Sequence, residues 1–275
     1  GLCDTASVSV KFDDAFATLA LATRTGYTFN GWFTEAENGV QIATADGKVL
    51  ENVEGYVAKG NYVHAGNITV FAKWTAHTYT VKFDGNTPNT SVTVENVPAD
   101  IENVKYDEAI STVAFGKATA TGYTFVGWFK DKNGTDEVVY TDKNLTAEDN
   151  GTVTLFAHWT ANTYVVSFEP NTPADSSVSG MQTSFNATYD SAFKATLATP
   201  TADGYEFAGW FTKAENGVQI ATADGKVLEN VDGYVKGGNY VHAGNITVFA
   251  QWIANEYTIT FTKNNENATG ADYTQ

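Results

Sequence analysis

The sequence predicts an α+β, strand-rich fold built from tandem modules, and three observations carry that prediction. One stretch is written three times, as Gly26-Tyr27-Thr28-Phe29-Asn30-Gly31-Trp32-Phe33, as Gly122-Tyr123-Thr124-Phe125-Val126-Gly127-Trp128-Phe129 and as Gly204-Tyr205-Glu206-Phe207-Ala208-Gly209-Trp210-Phe211. A second signature follows each copy, at Ile68–Trp74, Val153–Trp159 and Ile246–Trp252. Both alternate with period two, the mark of half-buried strands. An acidic start followed by apolar residues at three- and four-residue spacing (Asp13-Asp14, then Phe16 and Leu19) predicts one short helix per module, repeated at Tyr106–Ile110 and Tyr189–Phe193. Repetition fixes the architecture before any single element does.

The elements follow in order. Residues 7–12 (Ser-Val-Ser-Val-Lys-Phe) alternate as a strand and lead into the first short helix. In the signature strand, period two places Tyr27, Phe29 and Phe33 on one face and Thr28, Asn30 and Trp32 on the other. Gly31, Gly127 and Gly209 each stand directly before a tryptophan, which predicts a bulge or a close approach there. Long connections come next, 34–67, 130–152 and 212–245, and connections of that length usually carry structure or function. Short apolar stretches at Val40-Gln41-Ile42 and Tyr62-Val63 point to a hairpin or small subdomain within the first. Residues 34–74 and 212–252 differ at five positions, so the array has grown by copying.

In the closing strand Ile68, Val70, Ala72 and Trp74 share a face. Only four residues (Thr75–Thr78, Thr160–Thr163, Ile253–Glu256) then separate each tryptophan from a new strand, at Tyr79–Phe83, Tyr164–Phe168 and Tyr257–Phe261. A connection that short, without Gly or Pro, is no flexible tether, and the modules are expected to couple end to end as a stiff rod. The expected boundaries are 1–75 for a first module lacking its first strand, 76–160 and 161–253 for the next two, and 254–275 for the first strand of a following module or a donor strand.

Tyr-x-Val-x-Phe-Asp-Gly-Asn, then Gly-Tyr-x-Phe-x-Gly-Trp-Phe, then Thr-Val-x-Leu-Phe-Ala-x-Trp resembles the Listeria–Bacteroides repeat, or internalin B-repeat, most fully over 79–159. The resemblance implies a small β-grasp (ubiquitin-like) module strung in arrays on bacterial surface proteins, hence an extracellular, cell-surface location and no specific ligand. The alternative fold is an all-β immunoglobulin-like sandwich. Four or five core strands and one helical element per module favour the former. The 34-residue insertions at 34–67 and 212–245 depart from the short family pattern.

Composition narrows the function. Sixteen basic against 32 acidic residues give a net charge of −16, which repels nucleic acid and anionic lipid. No apolar run approaches the length of a membrane span, and no signal peptide or anchoring motif is present, as expected for a processed chain or a piece of a longer one. The single cysteine, Cys3, cannot form an intrachain disulfide and has no histidine at a suggestive distance.

All six tryptophans lie in the repeated motifs and are expected in cores, the closing-strand set (Trp74, Trp159, Trp252) above all, rather than as sugar-stacking platforms. His64, His77, His158 and His242 lack metal-ligand spacing and are expected to be structural or incidental. Asp131–Glu137 alternates oxygen-bearing residues like a calcium loop but lacks the distal bidentate acid, so turn chemistry accounts for it. Asn-x-Ser/Thr sequons arise from an Asn- and Thr-rich composition. No catalytic, cofactor or metal constellation emerges, and the chain is expected to be no enzyme.

What remains is a structural or adhesive repeat segment of a surface fibre protein. Its partners would be neighbouring repeats, copies of itself, or a host glycan or protein held by the insertions. The ends sharpen this expectation. The first module has no counterpart of Tyr79–Phe83, while the chain finishes with that strand at Tyr257, Ile259 and Phe261. Reading from the end back to the start leaves 25 residues between Phe261 and Phe12, against 22 between Phe83 and Tyr106. Two explanations stay open: the strand around Tyr257, Ile259 and Phe261 contacts and completes the first module of the next subunit in a head-to-tail filament, or the array has been cut inside that loop.

Overall fold

The computed structural model describes residues 2–3, 7–16, 18–262, 264, 269–270 and 273–274. The chain groups into two compact units, residues 1–119 with 125–159, and residues 120–124 with 160–275. Three buried apolar clusters form, one around each copy of the repeated motif.

The third copy, within the second unit, shows the complete module. Its sheet runs Val178–Ser179, Thr201–Ala202, Tyr205–Phe211, Ile246–Ala254, Thr163–Glu169, Phe185–Thr188, with Gln219–Ala221 added beside Tyr205–Phe211. The first strand and the closing strand lie side by side and parallel, Val166 opposite Ile246 and Phe168 opposite Val248, while the other pairings are antiparallel. Along the closing strand Ile246, Val248 and Ala250 are buried, as period two requires. The second copy repeats the order Ile101–Lys105, Thr78–Asp84, Gly151–Ala161, Tyr123–Phe129, again with a parallel pair from Tyr79 opposite Gly151 to Asp84 opposite Phe156.

The expected α+β β-grasp is overturned, because the described residues contain no helix and the architecture is all-β, the class of the alternative. Where short helices were expected, the backbone makes turns. Asp13, Asp107 and Asp190 adopt left-handed conformations (φ 66°, 66° and 57°), which a helix start cannot contain. Beyond each aspartate the chain is drawn into pairing with distant backbone: Phe16 N–H donates to the Gly60 carbonyl, Leu19 N–H to that of Gly47, and Phe193 N–H to that of Gly238. The apolar spacing that resembled a helical stripe is carried by extended chain that sends Phe16 and Phe193 inward.

The glycine before each signature tryptophan has the predicted role. In the first and third copies the register slips between Phe29 and Gly31 and between Phe207 and Gly209, a bulge at positive φ (114° and 131°). A Cβ on Gly209 would stand 2.3 Å from the Ala221 carbonyl oxygen. The slip also corrects the predicted faces: Phe29 and Trp32 contact each other edge to face, with centroids 5.4 Å apart, instead of pointing to opposite sides.

The tryptophans are ordered differently from expectation. Trp128 and Trp210, of the signature strands, are buried, whereas Trp74, Trp159 and Trp252, of the closing strands, are half-buried. Each signature indole donates to a carbonyl twelve residues upstream: Trp32 to Ala20, Trp128 to Gly116 and Trp210 to Ala198, at 2.7, 2.9 and 2.8 Å.

Candidate functional site

Two features are built on this scaffold, an open slot in the first copy and a repeated joint between copies.

The first copy retains a three-stranded sheet, Gln41–Ala43, Tyr27–Phe33, Phe71–Ala76. Residues 7–11 form no strand, although their sequence alternates, and residues 68–70 are not part of the closing strand, which starts only at Phe71. In the second copy the equivalent residues lie within Ile101–Lys105 and Gly151–Phe156, which pair with the first strand from either side, and no described residues of the first copy form such a strand. In its place is a cavity of about 950 Å³ lined by Ser7–Val10, Phe16, Trp32, Tyr62 and Gly66–Val70. Val8 and Phe12 are about 60% exposed beside it. An unpaired backbone row on each side of an open slot is a template for an added strand.

The residues expected to fill such a slot, Tyr257, Ile259 and Phe261, are placed on the surface at 72%, 59% and 55% exposure. Of their counterparts, Tyr79, Val81 and Val166 are buried, while Tyr164, Phe83 and Phe168 are half-buried. Thr260–Phe261 pairs locally with Tyr273–Thr274, and residues 255–259 form no strand. The structure therefore does not bring this segment to the slot. The loop expected to link Phe261 to Phe12 includes residues 1, 4–6, 263, 265–268, 271–272 and 275, which lie outside the described residues.

The joint appears once inside each unit. In the first, a single residue, His77, separates the strand ending at Ala76 from the strand starting at Thr78. Its N–H donates to the Gly26 carbonyl (2.8 Å), and its carbonyl accepts from the Tyr106 N–H (2.9 Å). The Tyr106 ring lies on Gly26 so closely that a Cβ there would be 2.3 Å from it, and it meets Tyr27 edge on. The Tyr27 hydroxyl donates to Asp107 (2.7 Å), which also pairs with Arg24 (3.2 Å). Those hydrogen bonds, from Tyr27 first and from Asn144 second, hold the Asp107 carboxyl below its usual range, and the same bond raises the Tyr27 phenol.

In the second unit Asn162 takes the hinge position. Its N–H donates to the Gly122 carbonyl (2.9 Å) and its carbonyl accepts from the Tyr189 N–H (2.8 Å). Tyr189 lies on Gly122 and meets Tyr123 edge on, and the Tyr123 hydroxyl donates to Asp190 (3.0 Å). His77, expected to be structural or incidental, is structural: it stands at the hinge, with its Nδ1 facing the Ala147 carbonyl and its Nε2 facing the Thr28 hydroxyl. The repeated Gly-Tyr and Tyr/Phe-Asp pairs were the signal for this joint, but only a fold puts them together.

The other candidates resolve into structure. The first insertion supplies Ile42, Ala43, Val49, Val53, Val57 and Tyr62 to the buried cluster of its own module, so it is core as much as surface. The expected hairpin is there, Val57–Ala58 with Asn61–Tyr62. Asp131 accepts from the N–H groups of Asn133 and Thr135 and from the Thr135 hydroxyl, and its lowered pKa follows from these turn bonds, the Thr135 side chain first. His158 faces the Lys132 carbonyl and the Phe129 ring, and His64 and His242 stack on Tyr56 and Tyr234.

Comparison with known proteins now adds a lineage. The family model of the Listeria–Bacteroides repeat domain matches residues 3–54, 79–158 and 164–251, one match to each copy. Internalin H of Listeria monocytogenes is 32% identical over 178 residues, 65% of this chain and 26% of that protein. A protein of Evansella cellulosilytica provisionally named a Gly-rich membrane protein is 27% identical over 241 residues, 88% of this chain and 24% of its own length. A second protein of that organism, provisionally named a membrane protein, is 26% identical over 209 residues, 76% of this chain and 26% of its own. The chain thus spans about a quarter of the length of these relatives.

Proposed function

This chain belongs to the Listeria–Bacteroides repeat domain family, and we propose that it is a non-catalytic structural segment of a bacterial cell-surface protein, displayed outside the cell. Its work is to extend and space, and to join copies head to tail by strand donation. The names of the relatives, an internalin and membrane proteins, support the surface assignment. The observation that supports strand donation is the coincidence of an open slot with an exposed segment of the right pattern, Tyr257–Phe261, whose last two residues would exchange their pairing with Tyr273–Thr274 for the slot. The second and third copies supply the register: Tyr257 opposite Gly66, Ile259 opposite Ile68 and Phe261 opposite Val70 on the parallel side, with Ile259 opposite Ser7 and Tyr257 opposite Val10 on the antiparallel side. Seated there, Tyr257 and Ile259 would leave water for the positions that bury Tyr79 and Val81.

The test uses a synthetic peptide of residues 255–262 (Asn-Glu-Tyr-Thr-Ile-Thr-Phe-Thr). Added to a chain lacking 256–275, it is expected to protect the amides of Ser7–Val10 and Ile68–Val70 from hydrogen exchange. At about 100-fold excess over its Kd it should stabilise the first module by about 2.7 kcal/mol. Exchange at those amides no different from that with a scrambled peptide rules strand donation out.

A further inference from the structure

The surface formed by Gly204, Tyr205 and Asn255 is a preformed socket, and we propose that it takes Phe12 and Asp13 of a second copy of this chain, remaking between molecules the joint that Gly26 and Gly122 make within the chain. This rests on the head-to-tail reading above but uses different residues from the donated strand.

The socket half is set. Gly204 has the same left-handed conformation as its two counterparts (φ 79°, against 75° and 80°), and its carbonyl already accepts the Asn255 N–H at 2.9 Å, as the Gly26 and Gly122 carbonyls accept those of His77 and Asn162. Tyr205 stands where Tyr27 and Tyr123 stand. Gly26 and Gly122 are buried under a tyrosine ring, whereas Gly204 is exposed, with no described residue within 4 Å of the position a Cβ would take.

The inserting half is equally set. Phe12-Asp13 aligns with Tyr106-Asp107 and Tyr189-Asp190. Asp13 has the φ of Asp107 (66°), and its N–H donates to the Tyr62 carbonyl at 2.7 Å, as the Asp190 N–H does to that of Tyr240. Phe12 is 63% exposed, whereas Tyr189 is 9% exposed. Two rigid, complementary halves need little ordering to associate, which is the main entropic obstacle to binding. In the joint the Phe12 ring covers Gly204, its N–H meets the Asn255 carbonyl, and the Tyr205 hydroxyl donates to Asp13. Strand donation and this joint are compatible, since in the internal joints the residue after the hinge begins the strand that fills the next module.

The experiment is sedimentation velocity of the intact chain over a concentration series. Concentration-dependent association is expected, stronger at about 0.15 M salt than at about 0.01 M, because screening reduces repulsion between copies of net charge −16. Phe12→Ala, a change at an exposed side chain, should weaken association at least tenfold. Tyr205→Phe should weaken it about tenfold through loss of one hydrogen bond to a carboxylate. Gly204→Ala should abolish it. Gly233→Ala, at the same kind of positive φ (74°) with nothing near it, controls for backbone strain and should leave association unchanged. A chain that stays monomeric up to about 1 mM (a ceiling of about 4 kcal/mol) overturns the joint and leaves the socket to a following module of one polypeptide. Association equal in Phe12→Ala, Gly204→Ala and the parent chain also overturns it. In either case the peptide exchange experiment still reports on strand donation by itself.

Discussion

The first and third copies form a natural pair of experiments. Residues 34–74 and 212–252 differ at five positions, none of them at the core positions compared here, yet the same side chains are treated differently. Val248 and Ala250 are fully buried and lie within a strand that begins at Ile246, whereas Val70 and Ala72 are half-buried and the strand begins at Phe71. Trp210 is fully buried and Trp32 is not. Local sequence is nearly held constant, so the difference comes from the neighbour: Val166–Glu169 lies beside Ile246–Phe249, and no described strand occupies that place beside Ile68. Strand formation here is a property of the pair, as expected where β-propensity mostly records packing.

The largest expected effect tests that contrast directly. Trp210→Ala removes a fully buried indole and should cost about 3–5 kcal/mol. Trp32→Ala should cost less than half as much, about 1–2 kcal/mol on the same scale, with each module followed by urea titration and copy-resolved hydrogen exchange. Equal costs would mean that the open slot does not loosen the first core.

A substitution away from the slot should show no contrast. Gly31→Ala and Gly209→Ala each force a methyl group against a carbonyl oxygen (2.1 and 2.3 Å) at positive φ, and should each cost about 1–3 kcal/mol. Unequal losses in the same exchange measurement would place the asymmetry somewhere other than the missing strand.

Smaller effects belong to the joints. Tyr123→Phe removes the hydroxyl that meets Asp190 and should cost about 1 kcal/mol, read as faster exchange of the Asn162 and Tyr189 amides with the distant core amides unchanged. The smallest is a pH effect at Asp107. Its carboxyl is held below the ordinary value of about 3.9, so its contribution is present above that pH and is lost as pH falls through the lowered value. Exchange at the Tyr106 amide should therefore accelerate beyond the intrinsic rate on acidification, and Asp107→Asn should flatten the response.

Much of this molecule was legible in its sequence. Repetition gave the three copies, period two gave the closing strands, and the glycine before the signature tryptophan marked the bulge in the first and third copies. The helices were misread because Phe16 and Leu19, and their later counterparts, carry a helical spacing while their backbones pair with Gly60 and Gly47, more than 25 residues away. The bulge hid the true faces of the signature strand, since one inserted residue reverses every side chain beyond it. The half-burial of the closing tryptophans was equally hidden, because period two assigns a face but not its depth. Of the candidate site, the repeats led to the expectation of an unfilled place in the first copy. The joint could not be read there, because His77, Gly26 and Tyr106 are brought together only by the turn at Asp107.

The parallel pairing of first and closing strands has a mechanical consequence. Tension applied at the two ends of a complete module pulls those neighbours in opposite directions along their length. The backbone hydrogen bonds from Val166–Glu169 to Ile246–Phe249 are then loaded together in shear instead of being opened one at a time. Forced rupture is governed by the unfolding rate, so this geometry favours resistance to stretching, and the second and third copies carry such a clamp. The first copy shows no such pairing among the described residues. Pulled as a single chain, the array should yield first at residues 7–74.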